Sequence, residues 1–324
     1  MYRISVITRI GLSFLLPALL IAPLSWAAAS GGARFTSYFQ RIPAPPQTTA
    51  EAHTRVKITA DTQGHKQFET PELEALMTSL NQEAALASSE MPGVLPGTAQ
   101  AGDAAAAERL ALQMENMSDA QKMAMAMHMA NGMNSTMQAG MQGGKEWSPA
   151  EQEFARLLGD HMDRDNELLS KDNELAGQPP ALIQAWGADH AQLGERMQKE
   201  LGDVATEGDC NVWGARRHAI ELNYAVKQDQ MATGHLPQMN KIIGSERQLV
   251  SEQTEFVDRL TSQAKAITSP INKSGYAQAR QFASHLLVSL LGMTEQVYVY
   301  ATEWHDHLLE RQKPYVKVDC GAQG

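Results

Sequence analysis

Apolar residues in the last third of the chain keep helical spacing over a long distance. Ile242/Ile243, Leu249/Val250 and Phe256/Val257 form three doublets seven residues apart. Phe282, Leu286, Leu290, Met293, Val297, Tyr300, Trp304 and Leu308 follow at steps of three and four. Such a repeat lays one continuous stripe along a helix, so two helices of this kind bury their stripes against each other. The second is expected to span ~35 to 40 residues, roughly 55 to 60 Å of rod. Upstream, Leu222, Val226, Leu236, Ile243 and Val250 hold their phase across Gly234-His235-Leu236-Pro237. That continuity predicts one helix kinked at the proline rather than two helices. An unbroken helix followed by one antiparallel partner returns the chain to its starting point, which brings Cys320 within reach of Cys210.

The middle of the chain reads as further helices. Thr70-Pro71-Glu72 supplies an N-cap with proline at the first helical position, and Leu73, Leu76, Met77, Leu80 and Ala84 share a side before Met91-Pro92-Gly93 closes the element. Residues 92–103 have a linker's composition, and Asp103 caps the alanine run that follows. Ser118-Asp119-Ala120-Gln121 and Ser148-Pro149-Ala150-Glu151 are capping boxes. The second opens a helix with the stripe Phe154, Leu158, Met162 and Leu169, expected to stop at Gly177 before Pro179-Pro180. Another helix then carries Leu182, Trp186, His190, Leu193, Met197 and Leu201.

Residues 30–70 are polar and irregular, with Pro43-Ala44-Pro45-Pro46 and a short β-hairpin read from His53–Thr59 back through Lys66-Gln67-Phe68. An isolated hairpin is marginal in water, so this segment is expected to be loosely ordered unless it lies on the helices. Six to eight helices and no larger sheet predict an all-α protein, an elongated antiparallel helical bundle or array of coiled-coil hairpins. The organisation expected is a signal peptide at 1–29, a polar segment at 30–70, a helical region at 71–205 and a long helical hairpin at 206–324.

The N-terminus changes the setting. Arg3 and Arg9 precede the apolar run Ile10–Leu24, and Ser25-Trp26-Ala27-Ala28-Ala29 supplies small residues for cleavage, the three-part pattern of a secretory signal. The run falls short of the ~20 residues a membrane span needs, so no transmembrane segment is expected after cleavage. Periplasmic or secreted location follows. In an oxidising compartment the two cysteines of the chain, Cys210 and Cys320, are expected to pair. Closing that loop stabilises the fold by roughly 4 to 5 kcal/mol on the chain-entropy model. Removing Arg3 and Arg9 takes the formal charge from −10 to −12. With no cluster of Lys and Arg to meet phosphates, a nucleic-acid partner is not expected.

Nine of the seventeen methionines fall between Met114 and Met141. Met123, Met125, Met127, His128 and Met129 sit at close spacing, followed by Met133 four residues on. Thioethers with an imidazole suit Cu(I); the plainer readings are a helix that fills an irregular core or offers a soft surface to a partner. Other candidates are weaker. Glu303, His307 and Glu310 share a face, but the Glu-x-x-His pairs of a di-iron bundle do not form, and a solvated helix end is expected there. Asp160–Glu167 is dense in acids without the glycine turn of a calcium loop and reads as a hydrated helix face. His190 is expected to be a core histidine satisfied by a neighbour. No nucleophile elbow, zinc-protease, P-loop or dinucleotide motif is present, so no enzyme and no cofactor are expected. The expectation is an exported, non-enzymatic helical binding or scaffolding protein of the bacterial cell envelope, of the kind found in secretion or conjugation assemblies. Its partners would be other envelope proteins or copies of itself, met through helical surfaces. The alternative is a periplasmic copper-binding protein using Met123, Met125, Met127, His128, Met129 and Met133.

Overall fold

The long stripes of the C-terminal third become two helices, and the other described helices pack on them. The computed structural model describes residues 34–90, 147–205 and 207–318, apart from the side chains of 162, 163 and 166. In chain order these form α1 (Arg34–Arg41), α2 (Thr49–His53), β1 (Lys57–Ala60), β2 (Lys66–Glu69), α3 (Pro71–Ser89), α4 (Pro149–Gly202), α5 (Cys210–Ala264) and α6 (Pro270–Arg311). Among the described residues the architecture is an all-α bundle with one antiparallel hairpin, as expected. No described helix is long and apolar enough to cross a membrane. The signal-like segment, the linker, the capping box at Ser118 and the methionine-rich run lie outside the described residues.

α5 and α6 make the most extensive contact and run antiparallel, tied at one end by Thr261 and Tyr276 (2.8 Å) and at the other by Arg311 and Glu221 (2.6 Å). The predicted continuity through Pro237 holds, with 55 residues in one helix. Leu236, Met239, Ile243, Val250, Val257 and Leu260 bury one side of α5, and Leu286, Leu287, Leu290, Leu291, Val297 and Ala301 line α6. α3 lies on α6 through Leu73, Leu76 and Leu80, with Pro71 at its first turn as predicted.

Two expectations are corrected. The helix that starts at the Ser148 cap does not stop at Gly177: α4 continues for 54 residues with Pro179 and Pro180 inside it. Two prolines remove two backbone donors from the helix, but Leu175, Ala176, Leu182 and Ile183 pack against the core on both sides of them, and Pro179 is itself buried. Packing outweighs the lost hydrogen bonds. The segment 30–70 is also not loose where it is described. Phe35, Ile42, Ala52 and Val56 are buried in the shared core. The Asp258 carboxylate of α5 accepts from the Phe35 and Thr36 backbone N–H groups at 2.9 and 2.8 Å, capping α1 from another element. The hairpin forms with Ile58 opposite Phe68, turns at Gly64 with positive φ, and is held to α6 by Lys66, which bridges Asp306 and Glu310.

α4 packs on both α5 and α6. Its start is fixed by Glu151, which accepts from the Thr268 hydroxyl (2.8 Å) and from the Thr268 and Ser269 N–H groups (3.0 and 2.8 Å) in the α5–α6 loop. The Thr268 hydroxyl first, then these N–H groups, lower its pKa to about 2. A Cβ at Gly275 would lie 2.9 Å from Leu158 Cδ1, so a larger residue there would require the leucine side chain to shift.

Candidate functional site

Exposed apolar surface is concentrated at one end of the bundle. Of five large hydrophobic side chains well exposed among the described residues, three are Val212 (68%), Val316 (77%) and Val318 (56%). α6 ends at Arg311 and the chain turns back in extended form towards the first turn of α5. Asn211 fastens it there: its side-chain N–H donates to the Val318 carbonyl (3.1 Å), and its Oδ1 accepts from the Val318 N–H (2.9 Å). Tyr315 lies on the bare backbone of Gly214, where an added Cβ would come within 2.8 Å of Cζ. Alternation in Tyr315-Val316-Lys317-Val318 seats the tyrosine inward and turns the two valines out. Cys210, the first residue of α5, has no free thiol. Its expected partner Cys320, two residues beyond Val318, lies outside the described residues.

A second concentration of chemistry lies where α4 crosses α5 and α6. Trp186 and His190 come from α4, His235 from α5, and Tyr300, Glu303 and Trp304 from α6. Two imidazoles stack on two indoles: His235 on Trp186 at 4.2 Å with planes 4° apart, and His190 on Trp304 at 3.6 Å and 8°. The Tyr300 hydroxyl sits between the imidazoles, 3.2 Å from His190 Nε2 and 2.7 Å from His235 Nδ1. A hydroxyl donates once and accepts from the other side, so it joins one acceptor nitrogen and one N–H. Burial lowers the His190 pKa to about 4 and raises that of Glu303 to about 7. Burial, then the charges of Asp189 and Glu303, raise Tyr300. Neutral imidazole, neutral phenol and a readily protonated carboxyl together form a packing cluster with one unpartnered nitrogen, His190 Nδ1.

Further along the same seam, towards the start of α4, polar groups replace the aromatics. His161 stacks on Phe256 at 3.7 Å, and burial lowers its pKa to about 4. Asp165 is raised to about 7 by burial alone. Asp172 and Glu246, 1% and 0% exposed, bring their carboxyls together across the α4–α5 contact. Burial and that neighbour push Glu246 up to about 9.

The sequence-predicted candidates fare differently. His190 is the buried, neighbour-satisfied histidine expected. Glu303, His307 and Glu310 form a helix end that is only partly solvated: Glu303 and His307 are half-buried, which raises the first and lowers the second, while Glu310 is exposed and pairs with Lys66. The Asp160–Glu167 run is only partly hydrated, because Asp160 pairs with Arg156 outside while His161 turns inward. Among the described residues no three His, Cys, Asp or Glu side chains converge to hold a metal ion. Met123, Met125, Met127, His128, Met129 and Met133 lie outside those residues. Sequence reading missed the valine end and the carboxyl pair. The signals were present: alternation after Pro314, and acids at stripe positions 172 and 246. Comparison with protein families, curated proteins and solved structures finds no match for the chain.

Proposed function

We propose that the chain is an exported, non-enzymatic helical protein acting through its surface as a binding or scaffolding component of the bacterial cell envelope. A secretion or conjugation assembly is a natural setting. The observation that carries this reading is the apolar end: Val212 in the first turn of α5 stands in water beside Val316 and Val318 on a tail that is pinned to that turn. Exposed apolar side chains gathered in one place favour association over solvation, and pinning the tail beforehand spares a partner part of the ordering cost. A Cys210–Cys320 bridge beside Asn211 would complete that anchorage in an oxidising compartment.

The test is a photo-crosslinking residue placed in turn at Val212, Val316 and Val318 in cells, with Arg156 on the outer face of α4 as control. Discrete adducts from the valine positions alone, in protein recovered from the envelope without its signal, are expected. Adducts absent from all positions, or equal at the control, contradict the reading.

The crowding of methionines between Met114 and Met141 supports a second reading, soft-metal binding. Anaerobic Cu(I) titration against a competing chelator would give binding that Met→Leu replacements at 123, 125, 127, 129 and 133 abolish. Failure to bind above the competitor removes it.

A further inference from the structure

Glu246 lies at the centre of the α5 stripe, between Ile243 and Val250, at a position where the repeat calls for an apolar side chain. It is 0% exposed, and neither Oε1 nor Oε2 receives a hydrogen bond from any N–H or O–H of the described protein. An ionised carboxylate so placed is among the most costly groups a fold can contain. What faces it is another carboxyl, Asp172 of α4, itself 1% exposed and with Oδ1 lacking a donor.

The surroundings decide which acid is charged. From α6, His285 Nε2 lies 3.4 Å from Asp172 Oδ2, and the Ser289 hydroxyl also reaches Asp172. Burial works against ionisation of Asp172, but these donors and Glu246 hold its pKa below the ordinary value. No cation offsets Glu246. The next residue, Arg247, turns away to the Ile42 and Pro43 carbonyls and the Phe39 ring, and Lys171 beside Asp172 pairs with Glu167. Arg34 of α1 is taken by Glu83. Asp165 and His161 lie further along α4, and no Lys or Arg among the described residues forms an ion pair with Asp172 or Glu246.

Two facing acids with no Lys or Arg paired to either among the described residues have one economical arrangement: one keeps its proton and donates it to the other, on which His285 also acts. We infer that Glu246 and Asp172 share one proton and form a latch that seats α4 on the α5–α6 hairpin, released when that proton is lost. The Glu246 O–H donates to the Asp172 carboxylate, which also accepts from α6, so a single hydrogen-bonded chain joins three helices. On release the proton passes to solvent, towards which the 55%-exposed His285 side chain leads, and two buried like charges then push α4 and α5 apart.

The sign follows from linkage. Glu246 binds its proton more tightly folded than unfolded, so the latch holds fully below its ordinary carboxyl range and weakens as pH rises through it to about 9. Hydrogen exchange of the full chain between pH 6 and 10, corrected for intrinsic rates, reads α4 directly. Opening of α4 amides around Asp172 is expected to increase by up to about tenfold per pH unit in that range, with α3 amides unchanged. Glu246→Gln, whose amide donates permanently to Asp172, removes this dependence above the values near 7 of Asp165 and Glu303. Should that variant not fold, infrared spectroscopy of the unmodified chain decides. A protonated-carboxyl band persisting at pH 8, above the values near 7 of Asp165 and Glu303, must vanish in step with α4 opening. A Glu246→Gln variant that keeps the wild-type pH dependence, or no protonated carboxyl at pH 8, overturns the latch.

Discussion

Glu83 and Glu246 are buried to the same degree, 1% and 0% exposed, and the molecule accommodates them in opposite ways. Glu83, on α3, meets Arg280 of α6 through two guanidinium N–H groups, one of them at 3.0 Å, and Arg34 closes on it at 2.6 Å from outside. Arg280 in turn reaches Glu90 at 2.6 Å and lies over the Tyr276 ring. Charge is matched with charge. Glu246, on the α4 seam, meets only another acid. The same contrast runs through both regions. On the α1–α3 side Asp258 caps α1 and Thr70 donates to Glu295 at 2.8 Å. Along the α4 seam, Asp172 and His190 of α4 and Glu246 of α5 keep atoms with no donor or acceptor, while His161 and Asp165 meet each other, at 3.0 Å. A buried ion pair is hard to remove from one side only, whereas a protonated acid is a neutral group whose cost depends on solution conditions. The α1–α3 face is therefore built to stay closed, and the α4 face to be conditional.

Breaking the matched region should have the largest effect. Arg280→Leu leaves Glu83 buried with only the half-exposed Arg34, and urea unfolding is expected to show a loss of about 3 kcal/mol. Asp258→Ala strips the two capped N–H groups of α1 and should cost about 2 kcal/mol, read in the same experiment. Faster proteolysis within 34–56 would localise the loss. On the α4 side Tyr300→Phe removes the hydroxyl between His190 and His235 but keeps the ring, and should cost only about 1 kcal/mol. A Tyr300→Phe loss exceeding that of Arg280→Leu would reverse the ranking of the two regions.

Much of this was legible in the order of residues. The doublets at 242, 249 and 256 and the steps from Phe282 to Leu308 define α5 and α6, because burial of a stripe is a pattern a linear sequence carries whole. Pro71 and Ser148 mark helix starts by local chemistry. What failed was local reasoning where tertiary contact decides. Pro179-Pro180 predicts a stop, yet packing on either side holds the helix. Phe35 and Ile42 stand among polar residues with no period, and only the fold shows that α5 offers them a groove and a cap. Glu246 and Gln253 follow Ile243 at steps of three and seven, so polar residues at core positions were visible. Their partners on α4 were not, because no local signal pairs Asp172 with Glu246 from 74 residues away.

The difference between the two buried glutamates is tested most directly by denaturant unfolding of Glu83→Gln and Glu246→Gln, each against the parent chain at pH 8. Losing the charge on Glu83 should lower stability by about 2 kcal/mol, while replacing Glu246, whose protonated carboxyl carries no charge at that pH, should leave stability unchanged or raise it. Equal destabilisation by both substitutions would contradict the account, since it would mean that Glu246 is held by a counter-charge as Glu83 is.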